Sequence, residues 1–377
     1  MSLSASRYFS IALLAFIAGF VLLPSSKAVN NFFYIFMALP AVILLLAGRF
    51  HRFRVTFLTV SWAAFFCWLA LSGIGDSAQY FKHLLYVVLF CFLVFAWVDW
   101  RQFEKALLFR SFFWGLVLYV AVSAIYFWYS GQTAVGVRII SLPGRLDGPI
   151  LTSMLMVSCF VLLLPEWLRN RGWWEMGAAV AAILFCVGFV LQSRSGLVGL
   201  AAALIAVFIW MTWKAGWKER VLALLMALVI GVIILWVLKN SDVAARLISR
   251  ADAGRLELWK QYLADWLGCG FLLGCGADFY NEVRNDGGEI ILHPHNLLLT
   301  VGFRYGFVGV LLFSVSLMAA LWEGWRQKSS WAGFLLVSLF MLNFDGRELI
   351  NSPHEVWLLV LMPAMLIAAR QQSDLRA

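Results

Sequence analysis

The side chains best suited to chemistry lie in one long polar segment, residues 239–296, which stands between two apolar runs. His293 and His295 stand at its end, and histidine is the side chain whose pKa suits proton transfer near neutral pH. Arg255 stands near its middle, and a guanidinium presents a planar set of donors that matches phosphate oxygens. This combination suggests transfer chemistry on a phosphate-bearing substrate.

Further arginines lie in short connections between apolar runs. Arg194 is the clearest, in a tight turn between two runs, and Arg138 and Arg145 share the connection before an earlier run. Two interpretations stay open for each. The side chain can extend to the lipid headgroups. Alternatively it can belong to a functional site, because ionisable residues at membrane depth are costly and are candidates for function. Several such arginines beside one polar segment favour the second.

A metal site at the two histidines is an alternative. Zinc wants three or four ligands, and the nearby carboxylates are those of Asp278, Glu282, Asp286 and Glu289. In another interpretation the histidines only hydrogen-bond at a helix start, with Asn296 as its N-cap. No Asp-x-Asp motif stands out, so we expect chemistry without a metal or other cofactor.

The elements that position these residues are transmembrane helices. The chain is 63% hydrophobic and 13% charged, with a mean hydropathy of +0.86. Soluble domains carry about 25% charged residues. Several apolar runs approach 20 residues and do not alternate, which indicates an all-α, polytopic membrane bundle. The net charge of +9 does not indicate nucleic acid, because the basic residues are scattered in short loops.

The apolar runs predict about twelve spans. We place them at residues 8–24, 29–47, 55–72, 81–98, 109–129, 148–164, 174–192, 196–213, 220–238, 297–321, 330–345 and 354–370. The chain is then one membrane unit in three parts. Residues 1–238 hold nine spans, residues 239–296 form one long loop, and residues 297–377 hold three spans and a tail.

The distribution of Lys and Arg in short loops predicts the orientation. With the N-terminus inside, sixteen fall on the inner side and six on the outer side. Both termini are then cytoplasmic and the long loop is outside. Arg138, Arg145 and Arg194 fall on the outer side too, which is where the orientation rule does not favour them.

The sequence of the long loop predicts two helices. A short helix is expected over residues 242–250, and the spacing of apolar residues over 254–267 predicts an amphipathic helix. Its expected apolar face, which rests on the bundle or lies in the interface, is formed by Leu256, Trp259, Leu263 and Trp266. Cys269 and Cys275 follow it, and sequence alone does not decide whether they pair.

Arginines and a histidine at the outer membrane surface suggest a lipid-linked diphosphate substrate. The arginines would hold the diphosphate and stabilise its charge as it leaves. The histidine would take a proton from an incoming hydroxyl or hold that hydroxyl in place.

The order of these features resembles the O-antigen ligase family, which shares its membrane domain with O-antigen polymerases and some protein O-oligosaccharyltransferases. The resemblance covers roughly residues 135–320. The motifs on which it rests are Gly144–Pro149, Ser193–Gly196, Gly254-Arg255 with Trp259, Gly274–Gly276 with Phe279, and His295–Leu299 followed by Gly306–Gly309. The chain departs from the family pattern at Phe303-Arg304-Tyr305, where a plainer apolar or acidic segment is usual.

The resemblance implies a GT-C-like bundle in the bacterial inner membrane with its long loop in the periplasm. It implies metal-free transfer of a polysaccharide from undecaprenyl diphosphate to lipid A–core oligosaccharide. By this resemblance Arg194 and Arg255 would bind the diphosphate, and His295 would be the base or the group that orients the acceptor. The further substrate contacts expected are Arg138, Arg145, His293 and Asn296.

Acceptor identity stays open, because a polymerase or a protein O-oligosaccharyltransferase would use the same donor. A transporter of lipid-linked sugars is the alternative from another class, but it should show matching broken helices in two halves, and none stand out. We expect membrane lipids as surroundings, no nucleic-acid partner, and a monomer or weak homo-oligomer.

Overall fold

The computed structural model describes residues 3–49, 53–146, 148–214, 216, 254–279, 291 and 293–375. Throughout these ranges the regular structure is helical and contains no strand, which confirms the all-α class. The helices in chain order are α1 (Leu3–Leu22), α2 (Ser26–Leu46), α3 (Phe57–Ser72), α4 (Ala78–Trp97), α5 (Ala106–Tyr129), α6 (Pro149–Asn170), α7 (Trp173–Val190), α8 (Arg194–Lys214), α9 (Arg255–Cys269), α10 (Leu297–Arg326), α11 (Ser330–Asp345) and α12, a π-helical turn (Trp357–Leu361) continued by an α-helix (Met362–Asp374).

The helices match the predicted spans closely. Among the described residues, seven helices are long and apolar enough to cross a membrane, and α3, α8 and α11 are shorter apolar helices. Each predicted span except 220–238 coincides with a helix, and that span lies outside the described residues. The chain is therefore a polytopic helical membrane protein.

Two helices form the centre of the bundle. α6 and α12 are buried along most of their length, including both sides of α12 from Val356 to Ala369. A helix that is apolar all round is typical of the interior of a large bundle. The other helices surround this pair and expose large apolar side chains outward, as Leu85 and Leu118 do.

The bundle has two polar ends that agree with the predicted alternation of spans. At one end, Arg145 pairs with Glu355 at 3.2 Å. At the other, Arg370 pairs with Glu104 and Arg110 pairs with Glu175. Residues predicted to share a side therefore meet at one end. Which end faces the periplasm stays a prediction.

The α9 helix lies across α10 at the first of these ends. Its buried face is formed by Leu258, Tyr262 and Trp266, with the ring of Tyr262 4.9 Å from that of Phe303 in α10. Of the expected apolar face, Trp266 packs on the bundle, whereas Leu256 and Leu263 are exposed and do not, so the interface alternative stays a prediction for them. The indole of Trp266 occupies the space where Gly302 lacks a Cβ, which fixes the rotation of α9. The expected helix at 242–250 lies outside the described residues.

A disulfide loop supports a break in α10. Gly306 has φ +70° and ψ −175°, and a Cβ at this position would lie 2.1 Å from the carbonyl oxygen of Leu272. Cys269 and Cys275 form a disulfide, and the loop between them bonds the interrupted backbone. Phe307 donates its N–H to Phe271 at 2.9 Å, so a backbone donor at the break is satisfied.

Candidate active site

His295 stands in a constrained position immediately before α10. Its φ of +55° lies in the left-handed region, which non-glycine residues adopt rarely and mostly where structure over-determines them. Asn296 follows as the N-cap, and its Oδ1 accepts the N–H of Leu299 at 2.9 Å. The Asn296 amide also donates to the carbonyl of Asn343 at 2.9 Å, which holds the start of α10 against the end of α11. The predicted N-cap is confirmed.

Asp345 connects the two leading residues of the site. Its Oδ1 lies 2.6 Å from His295 Nδ1, and its Oδ2 accepts from Arg255 Nη2 at 3.0 Å. The Asp345 side chain is 7% exposed, whereas that of His295 is 35% exposed. A buried carboxylate thus bridges a partly exposed imidazole and a guanidinium. We call His295, Asp345 and Arg255 the His–Asp–Arg cluster.

The carboxylate defines what His295 can do. A negative charge beside Nδ1 holds the proton on that nitrogen, so neutral His295 keeps an acceptor lone pair on Nε2. A base oriented by a third group is the general arrangement for activating a nucleophile. The cluster can therefore accept a proton from a hydroxyl and stabilise the positive charge that results.

Arg255 is positioned by α9, which is itself bonded to the histidine segment. Trp259 donates its indole N–H to the carbonyl of Pro294 at 2.9 Å, and Tyr262 donates its hydroxyl to that of Ile291 at 2.9 Å. The guanidinium has five N–H donors, and the bond to Asp345 uses one. A phosphate oxygen could be bound by the same group.

His293 lies against His295 but has a different character. The two rings are 4.3 Å apart at 64°. Burial, together with the neighbouring His295 and Arg347, lowers the pKa of His293 to about 4. It is therefore neutral at neutral pH and does not bind a phosphate as a cation. Its predicted contact to the substrate stays a prediction, limited to hydrogen bonding or packing.

Arg194 is the first residue of α8, which packs against α6 and α11. A Cβ on Gly199 would lie 2.3 Å from Met341 Sδ, so these residues mark one depth in the bundle. At 1.5 Å per residue, Arg194 and Asp345 each lie about 6 to 8 Å further toward the same end. The Cα atoms of Arg194 and Asp345 therefore lie at a similar depth, on neighbouring helices.

The other two predicted arginines have protein partners at this end of the bundle. Arg145 pairs with Glu355 and also donates to the carbonyl of Pro353 at 3.5 Å, and its side chain is 12% exposed. Arg138 donates from Nε to the carbonyl of Leu191, in the connection before Arg194. Their contact with substrate is untested, and their structural role is to join loops at this end.

Sequence reasoning missed Asp345 and Glu348. Asp345 is the last residue of α11 and Glu348 lies in the stretch that follows, where its Oε1 accepts from Arg304 Nη2 at 2.8 Å. The detectable signal was an acidic residue at the very end of an apolar run. Arg304 was noticed only as a departure from the family pattern.

No group of three or more His, Cys, Asp or Glu side chains suited to a metal ion occurs in the part of the chain that the structure describes. Three of the four carboxylates considered for a zinc site lie outside that part. Metal-free chemistry therefore stays a prediction.

Fold and site together define a polytopic helical membrane protein with a His–Asp–Arg cluster at one end of its bundle. A family model described as O-antigen ligase matches residues 179–314, a range that includes Arg194, Arg255 and His295. An O-antigen ligase of Pseudomonas aeruginosa is 25% identical over 381 residues, which cover 94% of this chain and 88% of that protein. The chain is therefore similar to O-antigen ligases along most of its length.

Proposed function

We propose that this protein is a glycosyltransferase of lipopolysaccharide biosynthesis. It transfers O-antigen polysaccharide from undecaprenyl diphosphate to lipid A–core oligosaccharide at the periplasmic face of the inner membrane. The observation that carries the proposal is the bridge from His295 through Asp345 to Arg255. The relative from Pseudomonas aeruginosa, named as an O-antigen ligase, favours the ligase over the polymerase.

The proposed reaction is one displacement at the anomeric carbon. The acceptor hydroxyl oxygen forms the new bond to that carbon while the bond to the diphosphate oxygen breaks. Undecaprenyl diphosphate leaves with the electron pair, and the hydroxyl proton passes to His295 Nε2. Asp345 stabilises the imidazolium through Nδ1.

Arginines supply the positive charge that the leaving diphosphate needs. Arg255 and Arg194 lie at the same end of the bundle, on α9 and α8. Charge-assisted bonds to phosphate oxygens strengthen as the bond breaks, which lowers the barrier without a metal ion. This division of roles gives each member of the cluster one task.

The proposed reaction requires the cluster to face the periplasm, because both substrates are presented there. The cluster belongs to the end of the bundle that the Lys and Arg distribution predicts to be periplasmic. The donor reaches this end with its isoprenoid chain in the bilayer, and the acceptor is anchored in the same leaflet.

Deletion and complementation test the proposal in the cell. A strain that lacks this gene should lose every polysaccharide-capped lipopolysaccharide band, and wild type and Lys260→Ala should restore the ladder. His295→Ala should not. Lys260 is an exposed cation on the same helix as Arg255, so it controls for changes on α9. If the deletion leaves core that carries a single repeat, the protein is a polymerase and the proposal is wrong.

A further inference from the structure

A polar cavity of about 360 Å³ lies beside the His–Asp–Arg cluster. It is enclosed by the first turns of α4, the segment after the disulfide loop, α10 and the stretch after α11. The polar side chains that line it include those of Ser77, Gln79, His83, Asp278, Thr300, Arg304, Glu348 and Asn351. Its size falls in the range of about 300–1,000 Å³ that is typical of small-ligand sites.

The cavity shares its walls with the cluster. Thr300 lines it one helical turn after Asn296, which caps α10 beside His295. Glu348 lines it three residues after Asp345. Two bonds join the same two segments, Asp345 to His295 at 2.6 Å and Glu348 to Arg304 at 2.8 Å. The cavity and the cluster are therefore built on the same two segments, the start of α10 and the stretch around the end of α11.

Among the described residues, Arg304 is the one arginine that lines the cavity, and it already has protein partners. Arg304 donates to Glu348 and to the carbonyls of Ala277 and Phe279, and its side chain is 6% exposed. Its side chain is nearly buried and has little access to a phosphate, whereas the Arg255 side chain is 23% exposed. Arg304 instead fixes the shape of the wall.

The charges around the cavity disfavour an anion. Asp278 and Glu348 contribute two carboxylates against the guanidinium of Arg304. Carboxylate, amide and hydroxyl groups bind the hydroxyls of a ligand. The rings of Tyr80 and Tyr305 also border the cavity, and each residue is 5% exposed. These features together match a neutral polyhydroxylated ring.

We propose that this cavity, which we call the sugar pocket, binds one neutral sugar unit of a glycan substrate. The inference rests on the proposed function and deepens it, because it assigns a specificity-determining site beside the cluster. The sugar belongs to the acceptor core or to the donor polysaccharide, and the experiment below distinguishes these two sources.

Gln79 offers the cleanest variant. It is exposed in the first turn of α4, so its replacement leaves the buried core intact. Gln79→Trp fills the pocket mouth, and Gln79→Ala removes the amide alone. Lys82→Gln is the control, since Lys82 lies one turn further along α4, is exposed and does not line the pocket.

Binding is measured first, without turnover. The purified protein in nanodiscs is titrated with dephosphorylated, delipidated core oligosaccharide and, separately, with O-antigen repeat oligosaccharide, by saturation-transfer NMR. We expect one of the two to bind wild type and Lys82→Gln alike. Its Kd should rise at least 10-fold in Gln79→Trp and roughly 3- to 10-fold in Gln79→Ala, the loss of one hydrogen bond. The oligosaccharide that responds identifies the source.

Transfer kinetics then separate binding from catalysis. KM for the matching lipid-linked substrate should rise by the same factor, while kcat stays within about two-fold. The reason is that the lost contact is equally strong in the bound ground state and in the transition state. If neither oligosaccharide binds wild type, or if binding is unchanged in Gln79→Trp, the sugar pocket is refuted. If the oligosaccharide binds as expected but wild type transfers nothing, the pocket stands and the proposed function is wrong.

Discussion

Asp345 Oδ1 lies 2.6 Å from His295 Nδ1 and joins the end of α11 to the start of α10. Fifty residues separate the two in sequence. The contact is possible because α11 returns to the end of the bundle where α10 starts, and because Gly346 lets the chain approach Leu297 closely. The mechanism depends on this contact.

Asp345→Asn tests the role of the carboxylate. An amide is nearly the same size but carries no charge, so it no longer holds the proton on Nδ1 or stabilises the imidazolium. We expect kcat to fall roughly 10²- to 10⁴-fold, the usual contribution of general acid–base catalysis, with KM little changed. Steady-state transfer by purified protein measures both. Activity within two-fold of wild type would remove Asp345 from the mechanism.

Arg255→Ala and Arg255→Lys test the diphosphate contact. Loss of one group that stabilises leaving charge costs roughly 10²- to 10³-fold in kcat. Lys keeps the charge but lacks the planar fork, so Arg255→Lys should recover only part of the activity. The assay uses purified protein and defined donor. Equal activity in Arg255→Ala and in the Lys260→Ala control would rule out a direct role.

Much of this fold was predictable because the position of each membrane-spanning helix depends on its own run of apolar residues. The run at 148–164 predicts α6, and the structure has Pro149–Asn170. Helix rotation is different, since it depends on the surface opposite. Leu256 and Leu263 fit an apolar stripe by spacing but are exposed, because Trp266 occupies the space above Gly302. Sequence does not show which groove a helix will meet.

The site was predictable in its residue types and not in its connections. Arg255 and His295 were recognised because guanidinium and imidazole have characteristic chemistry. Asp345 carries no local signal beyond its place at the end of an apolar run, and its partners are 90 and 50 residues away. Arg145 and Arg255 are each paired with a carboxylate, but the Arg145 side chain is 12% exposed and that of Arg255 is 23% exposed. The tertiary contacts that set this difference are not visible in the sequence.

Removal of the disulfide should loosen the break in α10. Replacing both Cys269 and Cys275 by Ser reopens a short loop, and the chain-entropy model gives a loss of about 2 kcal/mol. We expect a lower thermal midpoint in detergent and reduced transfer, because the loop bonds the α10 backbone on both sides of Gly306. Cys67→Ser, at an exposed free cysteine, is the control. An unchanged midpoint in the double variant would contradict this role.

The buried state of His293 predicts a loss of stability in acid. Its pKa is about 4 in the folded protein, against an ordinary value of 6.5. The unfolded chain therefore takes up the proton first as pH falls, so stability present above pH 6.5 is lost between pH 6.5 and 4. By pH 5 the loss amounts to about 2 kcal/mol. Thermal midpoints of wild type and His293→Gln between pH 5 and 7.5 measure it, and the gap between them should narrow in acid. A constant gap would show that His293 does not titrate this way.

Chelation tests the metal-free mechanism. Transfer by purified wild type should be unchanged after EDTA treatment and dialysis, because the proposed catalysis uses arginine charge where a metal would otherwise act. Loss of activity that zinc restores would instead support a metal site at His293 and His295.

The most direct test of the central claim is transfer in a reconstituted membrane. Purified wild type and His295→Ala are placed in liposomes with undecaprenyl-diphosphate-linked polysaccharide and lipid A–core, and products are separated on a gel. We expect wild type to convert lipid A–core to capped bands without ATP, and His295→Ala to leave it unconverted while remaining folded. Equal conversion by both proteins, or none by wild type, would contradict the proposed role of His295.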